Sequence, residues 1–302
     1  MQTSSKILMV RPARFEFNAE TAVNNQFQQK VEADGVHEKA VKEFDALVDA
    51  LRKNDVEVIV VQDTEEPHTP DSIFPNNWFS SHIGGELVLY PMFAENRRTE
   101  RKPEIMKLLK EEMNHTKLID LSNWEKKNEF LEGTGSMIFD RVNRIAYACR
   151  SIRTSENVIA DFSSKIGYEQ ILFDSKDENG NLIYHTNVMM EVGTKVAVVC
   201  LESIRDEDER DRLVSKLKET GKEIIDISLD QVNDFAGNMI ELKSRSGQPI
   251  MVMSDAAKKA LTPEQEKLIS SYSTIVSSDL QTIEANGGGS ARCMIAEIFY
   301  NM

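Results

Sequence analysis

Residues 132–173 read EGTGSMIFDRVNRIAYACRSIRTSENVIADFSSKIGYEQILF. Gly133–Phe139 leads through the turn Asp140-Arg-Val-Asn143 into Arg144–Cys149, and turn-type residues between two apolar runs predict a β-hairpin. Thr154 or Ser155 then offers an N-cap for a helix ending at Ile166, and Ile171–Phe173 follows as a further strand. The order is strand, strand, helix, strand.

The same order recurs. Asn187–Val192 turns at Gly193-Thr194 into Lys195–Leu201, followed by the charged amphipathic stretch Arg205–Thr220 and the strand Glu223–Ile227. Asn238–Lys243 turns at Ser244–Gly247 into Pro249–Met253. A helical stretch over Ser254–Ser271, with a Thr262-Pro263 helix start, then leads to Ser273–Val276. Units begin near Asp71, Glu132, His185, Asn238 and Cys293, a period of roughly 50–60 residues that marks a modular or propeller-like array, with chance spacing in a mixed fold as the alternative. Glu132, His185 and Cys293 share one phase of the unit, and a pseudo-symmetric ring would bring them together at its centre. No linker interrupts the chain, because the one loop-like cluster, Asp63–Pro75, runs straight into a motif. A single α/β domain over residues 1–302 is expected.

Composition narrows the function. Thirty-six basic and 50 acidic side chains give a net charge of −14, which argues against nucleic acid or an anionic membrane as partner. The longest apolar run, Val196–Leu201, is far below the roughly 20 residues that span a bilayer. The start, Met1 to Lys6, passes into Ile-Leu-Met-Val without the features of a signal peptide. Three scattered cysteines fit a reducing, cytoplasmic setting. The five histidines lack zinc-type spacing, so no metal is expected.

Among the cysteines Cys293 stands apart. It follows Gly287-Gly-Gly-Ser-Ala-Arg292, and glycines allow a close approach of ligand to backbone. Cys149 and Cys200 lie within strand-like runs. Sequence alone leaves Cys293 either a buried core thiol or a reactive one.

These motifs resemble the pentein superfamily of arginine deiminases, amidinotransferases and dimethylarginine hydrolases. The stretch ending at Cys293 resembles its C-terminal nucleophile motif, Glu132-Gly-Thr-Gly-Ser its Glu-Gly-Gly-Asp element, and His185-Thr-Asn187 its His-x-Asp. Asp71-Ser-Ile-Phe-Pro-Asn-Asn77 is similar to the Asp/Asn-x-x-Phe-x-x-Asp of the same enzymes. The resemblance runs over nearly the whole chain in the family's order. It implies a five-bladed α/β propeller of pseudo-fivefold ββαβ modules, with Cys293, His185 and Glu132 as catalytic residues. It further implies that Arg97 and Arg153 grip a substrate α-carboxylate, with Arg98 the competitor for Arg97, and that Asp71 lies near the amine end.

The departures carry the substrate argument. Deiminases hold a guanidinium between two aspartates, where this chain has Asn77 and Asn187. A carboxylate suits a guanidinium through a charge-assisted pair, but against a neutral ureido group it is an unpaired buried charge costing roughly 3–5 kcal/mol. An amide matches the C=O and NH2 of a urea. The set, with Arg11-Pro-Ala-Arg-Phe-Glu-Phe-Asn18, resembles the citrulline-utilisation hydrolase branch, although asparagines tuning an arginine enzyme remain the alternative.

The expected reaction is covalent and needs no cofactor. Cys293 attacks the ureido carbon as thiolate, His185 supplies the leaving-group proton and later activates water, and Glu132 contacts the substrate nitrogen or orients His185. Citrulline would give ornithine and carbamate. The alternatives are arginine deimination, amidino transfer, or a binding protein, since the fold also occurs in a ribosome-binding translation factor without a catalytic thiol. A small-molecule amino-acid substrate is the expected partner, and oligomeric state is open, a homo-oligomer included. His37, His68, His82 and His115 are read as surface or loop residues, Arg205–Arg212 as a solvated helix face, and Met189, Met190, Met251 and Met253 as strand residues filling the core.

Overall fold

The computed structural model describes residues 1–30, 35–112 and 117–299. Its framework is five three-stranded sheets. In the module that begins at Glu132, Ile138–Asp140 pairs antiparallel with Ile145–Cys149, which pairs in parallel with Glu169–Phe173. The hairpin tip is held by Asp140, whose carboxylate accepts from the Asn143 backbone N–H at 3.1 Å and from its side chain at 2.9 Å. A parallel partner needs a crossover, supplied by helix Glu156–Ile166. Its Val158, Ile159, Phe162 and Ile166 fall on one buried face, and Gly167 ends it at φ +80°.

Three further modules repeat this pattern: Phe79–Ser81, Glu86–Leu89 and Lys117–Asp120; Met190–Val192, Val196–Val199 and Glu223–Asp226; Ile240–Lys243, Pro249–Ser254 and Thr274–Ser278. The fifth sheet joins the two ends of the chain, with Ala296–Glu297 antiparallel to Lys6–Arg11 and Lys6–Arg11 parallel to Glu57–Gln62. This is the five-bladed α/β propeller. The stretch 254–271 is two helices, Asp255–Ala260 and Pro263–Tyr272, because Ser254 and Thr262 each cap a separate start. The middle strands Ile145–Cys149 and Val196–Val199 are buried throughout, as expected of strands covered on both faces.

Neighbouring blades are stitched near the axis. Ser81 Oγ donates to Glu297 O at 2.7 Å, Arg141 Nη1 to Ser81 O at 3.2 Å, and the Glu241 N–H to Glu191 Oε1 at 3.1 Å. At the strand ends away from Cys293, Gln2 Nε2 donates to both Phe139 O and Val192 O at 2.8 Å, bridging two blades.

Several sequence expectations are corrected here. His82 is buried, with Nε2 2.9 Å from Ser80 Oγ and its ring against Phe139, Phe162 and Tyr168. Burial, aided by Arg141, holds it well below the usual histidine range, so it is a neutral core residue. His37 is tied down, its Nδ1 accepting from the Phe15 N–H at 3.1 Å. His115 lies outside the described residues. Met189 precedes its strand, although it is buried like Met190, Met251 and Met253. Among the described residues no helix is long and apolar enough to cross a membrane.

Candidate active site

Each blade delivers residues to the axis immediately before its first strand: Asn77, Glu132 with Gly135, His185 with Asn187, Asn238, and Cys293. The glycine run ahead of Cys293 is the end of a helix, Gln281–Gly287, closed by Gly288 at φ +63°. What approaches those glycines is protein. A Cβ at Gly287 would stand 2.7 Å from the Phe74 ring, and one at Gly288 would stand 2.5 Å from Asn25 Nδ2.

Cys293 is 4% exposed, and its sulfur receives two amide donors, Asn187 Nδ2 and Asn238 Nδ2, each at 3.2 Å. The other two thiols are sealed away. Burial pushes Cys149 up to about 12 and Cys200 up to about 11, which leaves both unreactive near neutrality.

His185 Nε2 lies 2.8 Å from Glu132 Oε2. Burial by itself would raise the Glu132 carboxyl, but Arg153, His185 and Arg97 together hold it well below the usual carboxylate range. Burial lowers His185 to about 4, against the opposing pull of Glu132. The resting pair is therefore a carboxylate and a neutral imidazole. Because an ionised Glu132 can only accept, Nε2 carries the proton and Nδ1 is the free base. Nδ1 faces Gly135, where a Cβ would stand 2.8 Å from it and 2.5 Å from Asn77 Nδ2. The second Glu132 oxygen accepts from the Phe93 N–H at 2.9 Å.

The two arginines differ. Arg97 forks onto Glu100 at 2.8 and 3.0 Å and donates to Asn77 Oδ1 at 2.7 Å and Phe74 O at 3.0 Å. Its charge is already met. Arg153 lies over the Tyr184 ring at 4.9 Å, with Nη1 3.5 Å from Glu132. Its other nitrogens hold the segment 18–28, which opens with the short helix Ala19–Ala22, donating to Asn24 Oδ1 at 2.7 Å and Thr21 O at 2.7 Å. Arg98 turns to Met92 O and Phe93 O and does not line the cavity. Asp71 Oδ2 accepts from Asn18 at 2.8 Å and Thr21 at 3.0 Å, while Oδ1 is buried without a partner. Burial raises its carboxyl, with Arg97 opposing.

The cavity, its open mouth included, holds about 270 Å³ and is lined by Asp71, Asn77, Arg97, Arg153, His185 and Cys293, together with Thr21 and Asn25. Six of the eight residues singled out in the sequence line this space, and the other two, Glu132 and Asn187, connect to it through His185 and Cys293. The sequence reading missed Asn238 and the segment carrying Thr21, Asn24 and Asn25. The period had already placed Asn238 in phase with the others, whereas the segment lies outside the repeat.

A family model described as N,N-dimethylarginine dimethylhydrolase, eukaryotic, matches residues 11–300. The chain belongs to that family. That family is part of the pentein superfamily of guanidino-modifying enzymes. A comparison with curated proteins gives no match. Among solved structures, ArgZ, an arginine dihydrolase from the ornithine–ammonia cycle in cyanobacteria, superposes with a TM-score of 0.76 at 18% identity, covering 98% of this chain and 41% of that one. The chain thus spans about two-fifths of the length of full ArgZ. It matches the isolated ArgZ N-terminal domain, in a mutant bound to substrate, over 98% of both chains at 18% identity and a TM-score of 0.75. A dimethylarginine dimethylaminohydrolase mutant, captured as its adduct with S-methyl-L-thiocitrulline, gives 0.66 at 16% identity over 97% of this chain and 99% of that one.

Proposed function

We propose that the chain hydrolyses the ureido C–N bond of citrulline, giving ornithine and carbamate, with Cys293 as nucleophile. The observation that carries this reading is a pair of buried amide atoms left without partners. Arg97 can only donate, so it meets Asn77 through Oδ1 and leaves Asn77 Nδ2 buried without a partner. Asn187 gives Nδ2 to the sulfur and leaves Oδ1 buried without a partner. One free donor and one free acceptor complement the C=O and NH2 of a ureido group. A guanidinium, which only donates, would leave Asn77 Nδ2 unmet, a cost of roughly 1–3 kcal/mol before its own uncompensated charge is counted.

The remaining groups suit an α-amino acid. The free Oδ1 of Asp71 can accept from an α-ammonium, and Arg153 can exchange its bonds to Asn24 and Thr21 O for an α-carboxylate. In the first half-reaction His185 Nδ1 takes the Cys293 proton and the sulfur bonds to the ureido carbon. The bond from that carbon to the ornithine nitrogen then breaks, and His185 returns the proton to the departing amine. Asn77 Nδ2 donates to the oxygen as it becomes negative. Water then gives a proton to His185 and attacks the S-carbamoyl carbon. The carbon–sulfur bond breaks, the thiol is restored, and carbamate decays to ammonia and carbon dioxide. Glu132 fixes the imidazole and balances its transient charge.

The family match favours a second reading, a guanidino substrate such as dimethylarginine or arginine acted on by the same residues. Incubation of the protein separately with citrulline, arginine and dimethylarginine, with assay of ornithine, citrulline and released amine, decides between them. Ornithine from citrulline alone is the expected result. Citrulline accumulating from either guanidino compound, with no ornithine, would sink the ureido reading.

A further inference from the structure

Asn238 comes from the blade that contributed nothing to the expected site, yet it touches the reacting sulfur. Its amide is oriented by the backbone on both sides. Oδ1 accepts from the Arg292 N–H at 3.1 Å, and Nδ2 donates to Asn187 O at 3.0 Å. Those two partners exclude the flipped amide, which would set a carbonyl against a carbonyl and an amine against an N–H. The second Nδ2 hydrogen is the one left to face Cys293, 3.2 Å away, while Oδ1 lies farther from the sulfur at 3.7 Å. Asn238 is fully buried, so no water competes for that hydrogen.

We propose that Asn238 is a further catalytic residue, which with Asn187 forms a two-amide seat for the Cys293 thiolate. The proposal rests on Cys293 being the nucleophile but not on the identity of the substrate. Among the described residues the sulfur's hydrogen-bond partners are these two amides alone. The charged and titratable groups around it, Asp71 and Arg97 from one blade, Glu132 and Arg153 from the next, and Tyr184 and His185 from a third, do not bond to it directly. An amide N–H bonds more strongly to an anion than to a neutral thiol, so two of them favour ionisation of Cys–SH, with the proton passing to His185. They do so without placing a cation against the sulfur. That suits a site whose substrate end is also neutral.

The test measures alkylation by iodoacetamide, which forms a sulfur–carbon bond and releases iodide, in the full chain carrying Cys149→Ser and Cys200→Ser. Rates are followed from about pH 5 to pH 10 for native Asn238, Asn238→Ala and Asn238→Asp. Loss of the donor in Asn238→Ala is expected to slow alkylation at pH 7 about tenfold and move the midpoint of the pH–rate profile up by about one unit, the size of one charge-assisted hydrogen bond. Asn238→Asp keeps the acceptor for the Arg292 N–H and adds a negative charge beside the sulfur, so its midpoint moves further. With substrate, Asn238→Ala should lower kcat at pH 7 and leave KM unchanged, with kcat recovering at alkaline pH. If Asn238→Ala does not fold, as judged by circular dichroism, the profile of Asn238→Asp decides alone. Profiles that superimpose on the native one overturn the proposal. Normal alkylation shifts without citrulline turnover would leave Asn238 in its role and remove the ureido reading instead.

Discussion

His185 Nε2 meets Glu132 Oε2 at 2.8 Å in a position almost wholly closed to solvent, and Arg153 stands 3.5 Å from the same oxygen. The imidazole is therefore kept neutral by burial while its partner is kept ionised by cations. An imidazole in that state accepts a proton first and donates it second, which is the order required when the nucleophile is a thiol.

That pairing makes the fold acid-sensitive. His185 titrates near 4 in the folded protein and near 6.5 in an unfolded chain. Unfolded chains thus take up its proton first as the pH falls, and stability is lost progressively from about 6.5 towards 4. Glu132, held low when folded, adds a loss in the same direction below its unfolded value of about 4.3. Urea unfolding should show the native protein losing about 2 kcal/mol more between pH 7 and pH 5 than His185→Gln does. Equal losses in the two proteins would remove His185 from the account.

The nucleophile is tested by exclusion. Cys293→Ser should fold normally and lose essentially all turnover, whereas Cys149→Ser and Cys200→Ser, which alter sealed thiols with raised titration points, should keep it. A haloacetamidine or haloacetamide should label Cys293 preferentially, as read by peptide mass spectrometry. Turnover retained in Cys293→Ser would end the covalent mechanism.

Much of this was readable from the chain because the fold repeats. Hydrophobic runs and turn residues mark each ββαβ unit, and the phase of the unit sets which residues reach the axis. Glu132, His185 and Cys293 announce chemistry by residue type, so phase and type together pick them out. Asn238 shares the phase, but an asparagine before a strand is ordinary turn chemistry until its Nδ2 is seen 3.2 Å from a sulfur. The Thr21–Asn25 segment carries no period at all, and its place over Arg153 follows from tertiary contact alone. His82 was misread for a related reason: the aromatic cage that buries it is assembled from Phe139, Phe162 and Tyr168, all more than 50 residues away.

Arg153 tests the head-group clamp. Arg153→Ala should raise KM strongly, since a substrate carboxylate loses a charge-assisted partner worth roughly 1.5–3 kcal/mol. The same change releases Asn24 and Thr21, so proteolysis within residues 18–28 should also quicken. Substrate analogues without the α-carboxylate should be poor with the native protein and lose little more in the variant. Equal losses for both kinds of substrate would place Arg153 outside the substrate contact.

Asn77 and Asn187 test the choice of substrate, and their different surroundings let the two be separated. Asn77→Asp places a carboxylate beside Arg97, which already donates to that position at 2.7 Å, and turns the free donor into a free acceptor. It should weaken citrulline turnover and admit a guanidinium while leaving thiol alkylation almost unchanged. Asn187→Asp also removes a donor from the Cys293 sulfur, so it should slow alkylation as well as alter substrate preference. In the native protein the guanidinium of arginine would be desolvated without a counter-charge, a penalty of about 3–4 kcal/mol, or roughly 10² to 10³ in kcat/KM against citrulline. The double change Asn77→Asp with Asn187→Asp should narrow or reverse that ratio. Binding of arginine should improve before its turnover does, because the added charge also opposes the thiolate. Side-by-side kcat/KM values for citrulline, arginine and dimethylarginine in the native, single and double variants provide the measurement. A native preference for either guanidino compound would mean that the two asparagines serve a guanidinium after all.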